Sequence, residues 1–215
     1  SSWTAAIEQK TDYQDLPPAI VLDVDETVLD NSPFQARMIQ QNSGYDPKAW
    51  TDWVLESQAD AIEGAVALTQ AAASKGIQVF YVTNRDAQTE LATRQNLIDE
   101  GFPVDQQTDV VLLKDEQPEW TSDKTTRRAH IARNYRIIML FGDDLNDFVS
   151  AKNITERRRN AFVQQYESKW GRAWFVLPNP IYGSWEGAMF DGQRPSTRPQ
   201  SLQRKNQLLD DGNNR

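Results

Sequence analysis

IVLDVDETVLDN, residues 20–31, decides how the rest of the chain is read. Ile20, Val21, Leu22 and Val24 favour a strand, and they carry two carboxylates, Asp23 and Asp25, two positions apart. In extended backbone such residues point the same way, so both acids are expected to share one pocket. Residues 19–24 are apolar on both faces, as in a parallel strand covered by helices on each side. A second acidic cluster, FGDDLNDF, closes another apolar run at 137–141. Two buried strands ending in aspartates bring carboxylates to one sheet edge, and ligand sites of open parallel sheets lie beyond the carboxyl ends of the strands.

Working outward, further strands are expected at 77–83 (IQVFYVT), 110–113 and 173–177. Helical stretches alternate with them. One spans 65–75 and stops at Gly76, and one is capped by Asp86 and runs to 100, before Gly101. A third, at 124–134, is capped by Asp123, and a fourth spans 156–169. This alternation predicts an α/β fold, a three-layer Rossmann-like parallel sheet with right-handed crossovers. The connection from Val24 to Ile77 is far longer than the ~10–12 residues a crossover needs. Its surplus, residues 32–63 with Trp50 and Trp53, is expected to form a small helical cap over the sheet edge. The core is then 1–31 and 64–190, with the 178–190 loop helping the cap. Residues 1–18 read as a polar lead-in with a short helix, ended by Pro17 and Pro18. Residues 191–215 read as a polar tail with a short helix that frays at its end.

A chain of 215 residues suits one domain with an insertion. No apolar stretch reaches the ~18 residues that span a bilayer. With no initiator Met, basic n-region or apolar h-region, any export signal is expected to have been removed. The absence of cysteine excludes disulfides, thiolate zinc sites, a cysteine nucleophile and a lipid-bearing cysteine within these residues. A duplex nucleic-acid binder normally shows a basic face, and with a net charge of -8 nucleic acid is not the expected partner. It is compatible with a phosphorylated small molecule if a metal ion supplies positive charge.

Asp143 follows the fourth strand, and Asp147, four residues on, shares its face if a helical turn starts there. Crowded carboxylates repel unless a cation sits among them, and oxygen-only ligands suit Mg²⁺, although Mn²⁺ or Co²⁺ fit the same set. One DxD alone reads as a strand-end cap, but two acidic clusters at two strand ends favour a metal site for phosphoryl transfer. Lys114 at a strand end and Lys124 opening a helix are both candidates to neutralise a phosphate, and the residues themselves do not choose between them. His130, the only histidine, lies in RRAHIAR, which reads as a helix surface and not as a phosphate loop.

The motifs DVDETVLDN, VTNR and GDDLNDF resemble the haloacid dehalogenase superfamily of phosphotransferases. LPNPIYGSWEG, residues 177–187, resembles one branch of it, the bacterial class C acid phosphatases, exported proteins that are often outer-membrane lipoproteins acting on nucleotides. Motif order and spacing agree from about residue 3 to 190. The resemblance implies that Asp23 is the nucleophile, forming an aspartyl-phosphate. It makes Asp25 the general acid and then the base, with its backbone carbonyl on Mg²⁺. Asp23 and Asp143 would be the side-chain ligands, with Asp147 beside them, bonded to metal water or to the lysine. Thr83 would donate to a phosphate oxygen. Asn84 and Arg85 would shape that loop, Arg85 through an ion pair. Family spacing favours Lys124 over Lys114. Thr27, Asp30 and Asn31 would hold the nucleophile loop.

In relatives aromatic side chains sandwich a flat group. Tyr182 matches one such position, with Trp50 or Trp53 as partner and Trp185 structural. Asp144 departs from the branch, which usually has asparagine there. Its carboxylate is harmless if it points to solvent and weakens phosphate binding if it points inward. The expected function is a Mg²⁺-dependent phosphomonoesterase preferring mildly acid pH and nucleoside monophosphates or aromatic phosphates. The alternatives are phosphotransfer to an alcohol, or a surface ligand-binding protein on the same fold. By resemblance the chain is periplasmic or outer-membrane associated, with any membrane tether outside these residues.

Overall fold

The apolar start of the run that opened the sequence reading, with Ala19 before it, lies in the central strand of the sheet, and residues 19–22 are all buried. The computed structural model describes residues 3–10, 12–191, 195 and 197–209. Strand β1, Pro18–Leu22, pairs in parallel with β2, Gln78–Asp86, on one side and β4, Arg136–Gly142, on the other. β3, Val111–Lys114, lies outside β2, and β5, Trp174–Val176, lies outside β4. The sheet order is β3-β2-β1-β4-β5, all parallel. The helices that flank it include α3, Ala65–Ser74, α4, Glu90–Asp99, α5, Thr125–Ile131, and α6, Glu156–Gln165. This is the expected α/β architecture, and it sets the ends of β1, β2 and β4 side by side.

The long connection between β1 and β2 carries two helices, α1, Ser32–Gln40, and α2, Pro47–Leu55. Asp46 caps α2 by accepting from the Ala49 amide at 2.8 Å. Phe34 of α1 meets Trp50 of α2 edge-on, with ring centroids 5.1 Å apart. The Trp53 indole donates to Asn31 Oδ1 at 2.8 Å and ties α2 to the end of the loop that follows Asp23.

Four expectations are corrected. β1 stops at Leu22 rather than 24, because the carbonyl of Val24 is taken by the amides of Thr27, Val28 and Leu29 and the chain turns through Glu26 at φ 59. Asp25 therefore sits in a turn and not two rungs along a strand. Asp86 does not cap a helix with its side chain. It ends β2, and its carboxylate pairs with Lys114 at 2.5 Å, while a 3₁₀ turn, Ala87–Thr89, leads into α4. Asp123 is one residue too early to be the N-cap of α5, although its carboxylate accepts from the Thr125 amide at 2.9 Å. The lead-in forms no helix among its described residues. The Ala5 amide bonds the Ile137 carbonyl, and the Ala5 carbonyl accepts from Trp174 Nε1 at 2.9 Å. Tertiary partners thus take backbone groups that a helix would have used.

The tail carries α7, Trp185–Ala188, on its approach and then α8, Arg198–Gln207. The fraying expected at 210–215 lies outside the described residues. Among the described residues no helix is long and apolar enough to cross a membrane.

Just beyond β3, the Glu116 carboxylate accepts from the Leu113 amide at 2.9 Å, and burial pushes its pKa up to about 7. The folded state then holds this proton more tightly than the unfolded chain. Its contribution to stability is present at low pH and lost as pH rises from about 4.5 to about 7. Glu116→Gln keeps an acceptor for Leu113 and removes the titration. Its melting temperature is expected to fall less steeply than that of wild type across this window in a thermal melt series, and parallel curves would reject the assignment.

Candidate active site

Asp23 leaves β1 with its amide still held by the Phe141 carbonyl at 3.0 Å, so the ends of β1 and β4 are level. After β4 the chain makes a 3₁₀ turn, Leu145–Asp147, which carries Asp147 back toward the strand end. A Cβ at Gly142 would lie 2.2 Å from Asp147 Oδ2, so this fold-back needs glycine there. Lys124, immediately before α5, is 3% exposed. Its ammonium bonds Asp23 Oδ1 and reaches Asp147 Oδ1 at 2.6 Å. Asp143 receives an N–H from Asn179 at 2.7 Å. One oxygen from each of Asp23, Asp143 and Asp147 lies within 4.8 Å of the others.

One ammonium does not compensate three carboxylates. Burial, with Asp147 and Asp25 adding against the pull of Lys124, raises Asp23 to about 7. Burial, then Asp147 and Asp23, raises Asp143 to about 9. Burial opposes the charge on Lys124, but Asp147 and Asp23 outweigh it and raise its pKa. A buried all-oxygen cluster with this affinity for positive charge fits a hard divalent cation. Both Asp147 oxygens are already engaged, one by Lys124 and the other by the Asp144 amide at 3.0 Å, which suits Asp147 to orienting the lysine.

Asp25 is held by a separate set. Its Oδ1 accepts from Asn31 Nδ2 at 3.0 Å and from Arg85 Nε at 3.0 Å, and its Oδ2 takes the Thr83 hydroxyl at 3.4 Å. The structural ion pair expected of Arg85 therefore has Asp25 as its partner, with the guanidinium buried. Thr83 is fully buried and is not among the residues that line the cavity; its hydroxyl donates to Asp25. Asn31 bridges Asp25 to Trp53, and Asp30 accepts from the Ser32 amide at 2.7 Å. Asn84 lines the cavity and donates to the Ser122 carbonyl at 3.1 Å.

The cavity measures about 610 Å³. Asp23, Asp25, Lys124 and Asp143 line it together with Phe34, Trp50 and Tyr182. Trp50 and Trp53 are placed differently. Trp50 borders the space, whereas Trp53 is 3% exposed and spends its N–H on Asn31. The Tyr182 hydroxyl donates to Glu26 at 3.1 Å, and burial beside Asp25 and Glu26 pushes its pKa strongly upward. Lys114 is drawn to Asp86 and does not line the cavity; Lys124 and Lys152 do, and of these two Lys124 bonds Asp23, whereas Lys152 donates to the Ser122 hydroxyl at 2.7 Å. His130 packs its ring against Trp120 at 5.3 Å and lies outside the cavity lining.

Two arginines that the sequence reading passed over as helix surface are fully buried. Arg127 bonds the Thr83 carbonyl, Asn84 Oδ1 at 2.7 Å and the Thr121 carbonyl at 2.7 Å. Arg128 donates to the Asp147 carbonyl at 2.9 Å and pairs with Glu8 at 2.6 Å. The only local signal was their position three and four residues after Lys124, one helical turn on.

Residues 2–185 match the model of the HAD superfamily, subfamily IIIB (acid phosphatase). The chain is similar to the class C acid phosphatase of Bacillus anthracis, with 35% identity and a TM-score of 0.83 over 96% of this chain and 84% of that one. A second structure of that enzyme, with tungstate bound, aligns at 34% identity and a TM-score of 0.83, covering 92% and 81% of the two chains. Acid phosphatase 1 of Solanum lycopersicum is 27% identical over 163 residues, which are 75% of this chain and 57% of that protein.

Proposed function

Since this chain belongs to the HAD superfamily, subfamily IIIB acid phosphatase family, we propose that it hydrolyses phosphomonoesters, nucleoside monophosphates or other aromatic phosphates in particular, through an aspartyl-phosphate on Asp23. The observation that carries the reading is Asp23, bonded to Lys124 and within one oxygen cluster with Asp143 and Asp147, at a cavity that Trp50 and Tyr182 also line.

An oxygen of Asp23 attacks phosphorus in line, the ester P–O bond breaks, and the alcohol leaves with a proton from Asp25. Asp25 then takes a proton from water, which attacks the phosphoryl group and frees Asp23 and inorganic phosphate. Arg85 and Asn31 hold Asp25 by Oδ1, which leaves Oδ2, in a 3.4 Å contact with Thr83, to face the leaving group. Lys124 holds Asp23 in position and offsets charge on the phosphoryl oxygens. Asp23, Asp143 and the backbone carbonyl of Asp25 would hold a divalent cation, Mg²⁺ by the donor set, which neutralises the phosphate approaching a carboxylate nucleophile. The tungstate of the Bacillus anthracis structure is a tetrahedral oxyanion, in keeping with a phosphate-shaped site. A preference for mildly acid pH is part of this reading, and a pH–rate profile that is flat from about pH 5 to 8 would count against it.

Residues 32–63 act as the cap, and Trp50 with Tyr182 forms the walls for the flat group. Stacking of this kind is worth ~1–3 kcal/mol, so Trp50→Ala is expected to raise KM for a nucleoside monophosphate by about 5–150-fold. KM for glycerol phosphate should stay nearly unchanged, and equal effects on both substrates would remove Trp50 from recognition. Phosphate release from a nucleoside monophosphate and from p-nitrophenyl phosphate, with Mg²⁺ and with EDTA at pH 5.5, tests the reading. Turnover insensitive to EDTA would sink the metal assignment, and no turnover with any divalent metal would sink the enzyme. The export reading extends this to the periplasm or outer membrane, and cell fractionation tests it.

A further inference from the structure

Asp144 points neither to solvent nor into the carboxylate cluster. Its side chain is 13% exposed. Oδ1 accepts from the Asn146 amide at 2.8 Å and from the Ser184 hydroxyl at 2.5 Å. Oδ2 accepts from the Ser184 amide at 2.7 Å and has Arg159 NH2 at 3.8 Å. Arg159 also donates to Ser184 Oγ at 2.6 Å, so acid, serine and arginine form one node. The contact is close enough that a Cβ on Gly183 would lie 2.9 Å from Asp144 Oδ2 and 2.6 Å from the Trp185 ring. On the other side of Tyr182, Asn179 receives the Tyr182 amide at 3.3 Å and donates to Asp143. The loop carrying Tyr182 is thus tied to the Asp143–Asp147 turn before and after the tyrosine.

We infer that Asp144 is a positioning residue for recognition: it fastens the loop that carries Tyr182 to the turn that carries Asp143 and Asp147, and so sets the grip on the flat group of the substrate. The inference rests on the phosphomonoesterase reading of the site. Asparagine at this position cannot make the same node. If its oxygen keeps Asn146 and the Ser184 hydroxyl, its NH₂ faces the Ser184 amide and the Arg159 guanidinium, donor against donor. If it flips, it loses the cap on Asn146. Asp144→Asn therefore loosens the loop and leaves the Lys124–Asp23 contact in place.

The test is Asp144→Asn, assayed with p-nitrophenyl phosphate and glycerol phosphate, alongside amide hydrogen exchange over residues 179–187. Expected are a KM for p-nitrophenyl phosphate raised about 5–20-fold, the scale of one lost charge-assisted hydrogen bond, and kcat within about threefold. Glycerol phosphate, which offers no flat group to Tyr182, keeps kcat/KM within about twofold. Exchange quickens at 183–187 and not at 145–149. Equal losses on both substrates, or unchanged exchange and KM, would overturn the inference. Should Asp144→Asn fail to fold, Ser184→Ala removes one bond of the node and carries the same test with an expected KM change of about 2–5-fold. Should wild type hydrolyse neither ester, the phosphatase reading fails by itself, and the exchange comparison still decides whether Asp144 holds the loop.

Discussion

Asp23→Asn is expected to lower kcat by at least ~10⁴-fold, the scale seen when a covalent nucleophile is removed from a group that acts as a unit. An amide oxygen does not displace an alkoxide from phosphorus, and no second carboxylate stands in for it. Asp25 is held by Arg85 and Asn31, Asp143 by Asn179, and Asp147 by Lys124. The substitution also removes one of three crowded carboxylates, so in EDTA the melting temperature should stay at or above that of wild type. That pairing of results separates lost chemistry from lost fold. Single-turnover phosphate release and a thermal melt give both readouts, and retention of even a few per cent of wild-type kcat would take the nucleophile role from Asp23.

Arg127→Met carries the largest expected cost to stability, about 3–5 kcal/mol, the scale of several buried neutral acceptors left without a donor. The guanidinium is fully buried and satisfies the Thr83 and Thr121 carbonyls and the Asn84 side chain. Each orphaned acceptor costs ~1–3 kcal/mol. Against this, burial pushes the Arg127 pKa down to about 10, so holding the charge is itself unfavourable and part of the loss is returned. The acceptors outnumber the single charge, and the net sign is destabilising. Because Arg127 fixes Thr83, which bonds Asp25, and Asn84, which lines the cavity, kcat/KM should fall ~10²-fold as well. Urea unfolding with an unchanged m-value checks the stability term. A change under ~1 kcal/mol would mean that water or a neighbour replaces the guanidinium.

The five strands and the two acidic clusters were legible because both are local signals. Apolar runs such as Val110–Leu113 and Ile137–Leu140 announce burial, and a carboxylate ending such a run has few other reasons to be there. Boundaries were less legible. The extension of β2 to Asp86 depends on a partner on the neighbouring strand, Lys114, and the turn through Glu26 is closed by three amides that converge on the Val24 carbonyl, which no apolar pattern announces. Helix α5 was legible as a helix, yet its RRAHIAR pattern looked solvated, since nothing near it in sequence shows that Thr83 and Glu8 will close over its arginines.

The sequence by itself determined the fold class, the acids that meet at the sheet edge and the reaction chemistry they permit, because period and polarity are carried by neighbouring residues. Only the tertiary structure decided which side chains are partners. It gave Asp25 to Arg85, 60 positions away, chose Trp50 over Trp53 for the cavity, and turned Asp144 toward Ser184, 40 positions away. The physical reason is that a hydrogen bond or an ion pair needs a donor and an acceptor within about 3 Å. That proximity is produced by the packing of distant segments and leaves no mark in the residues on either side.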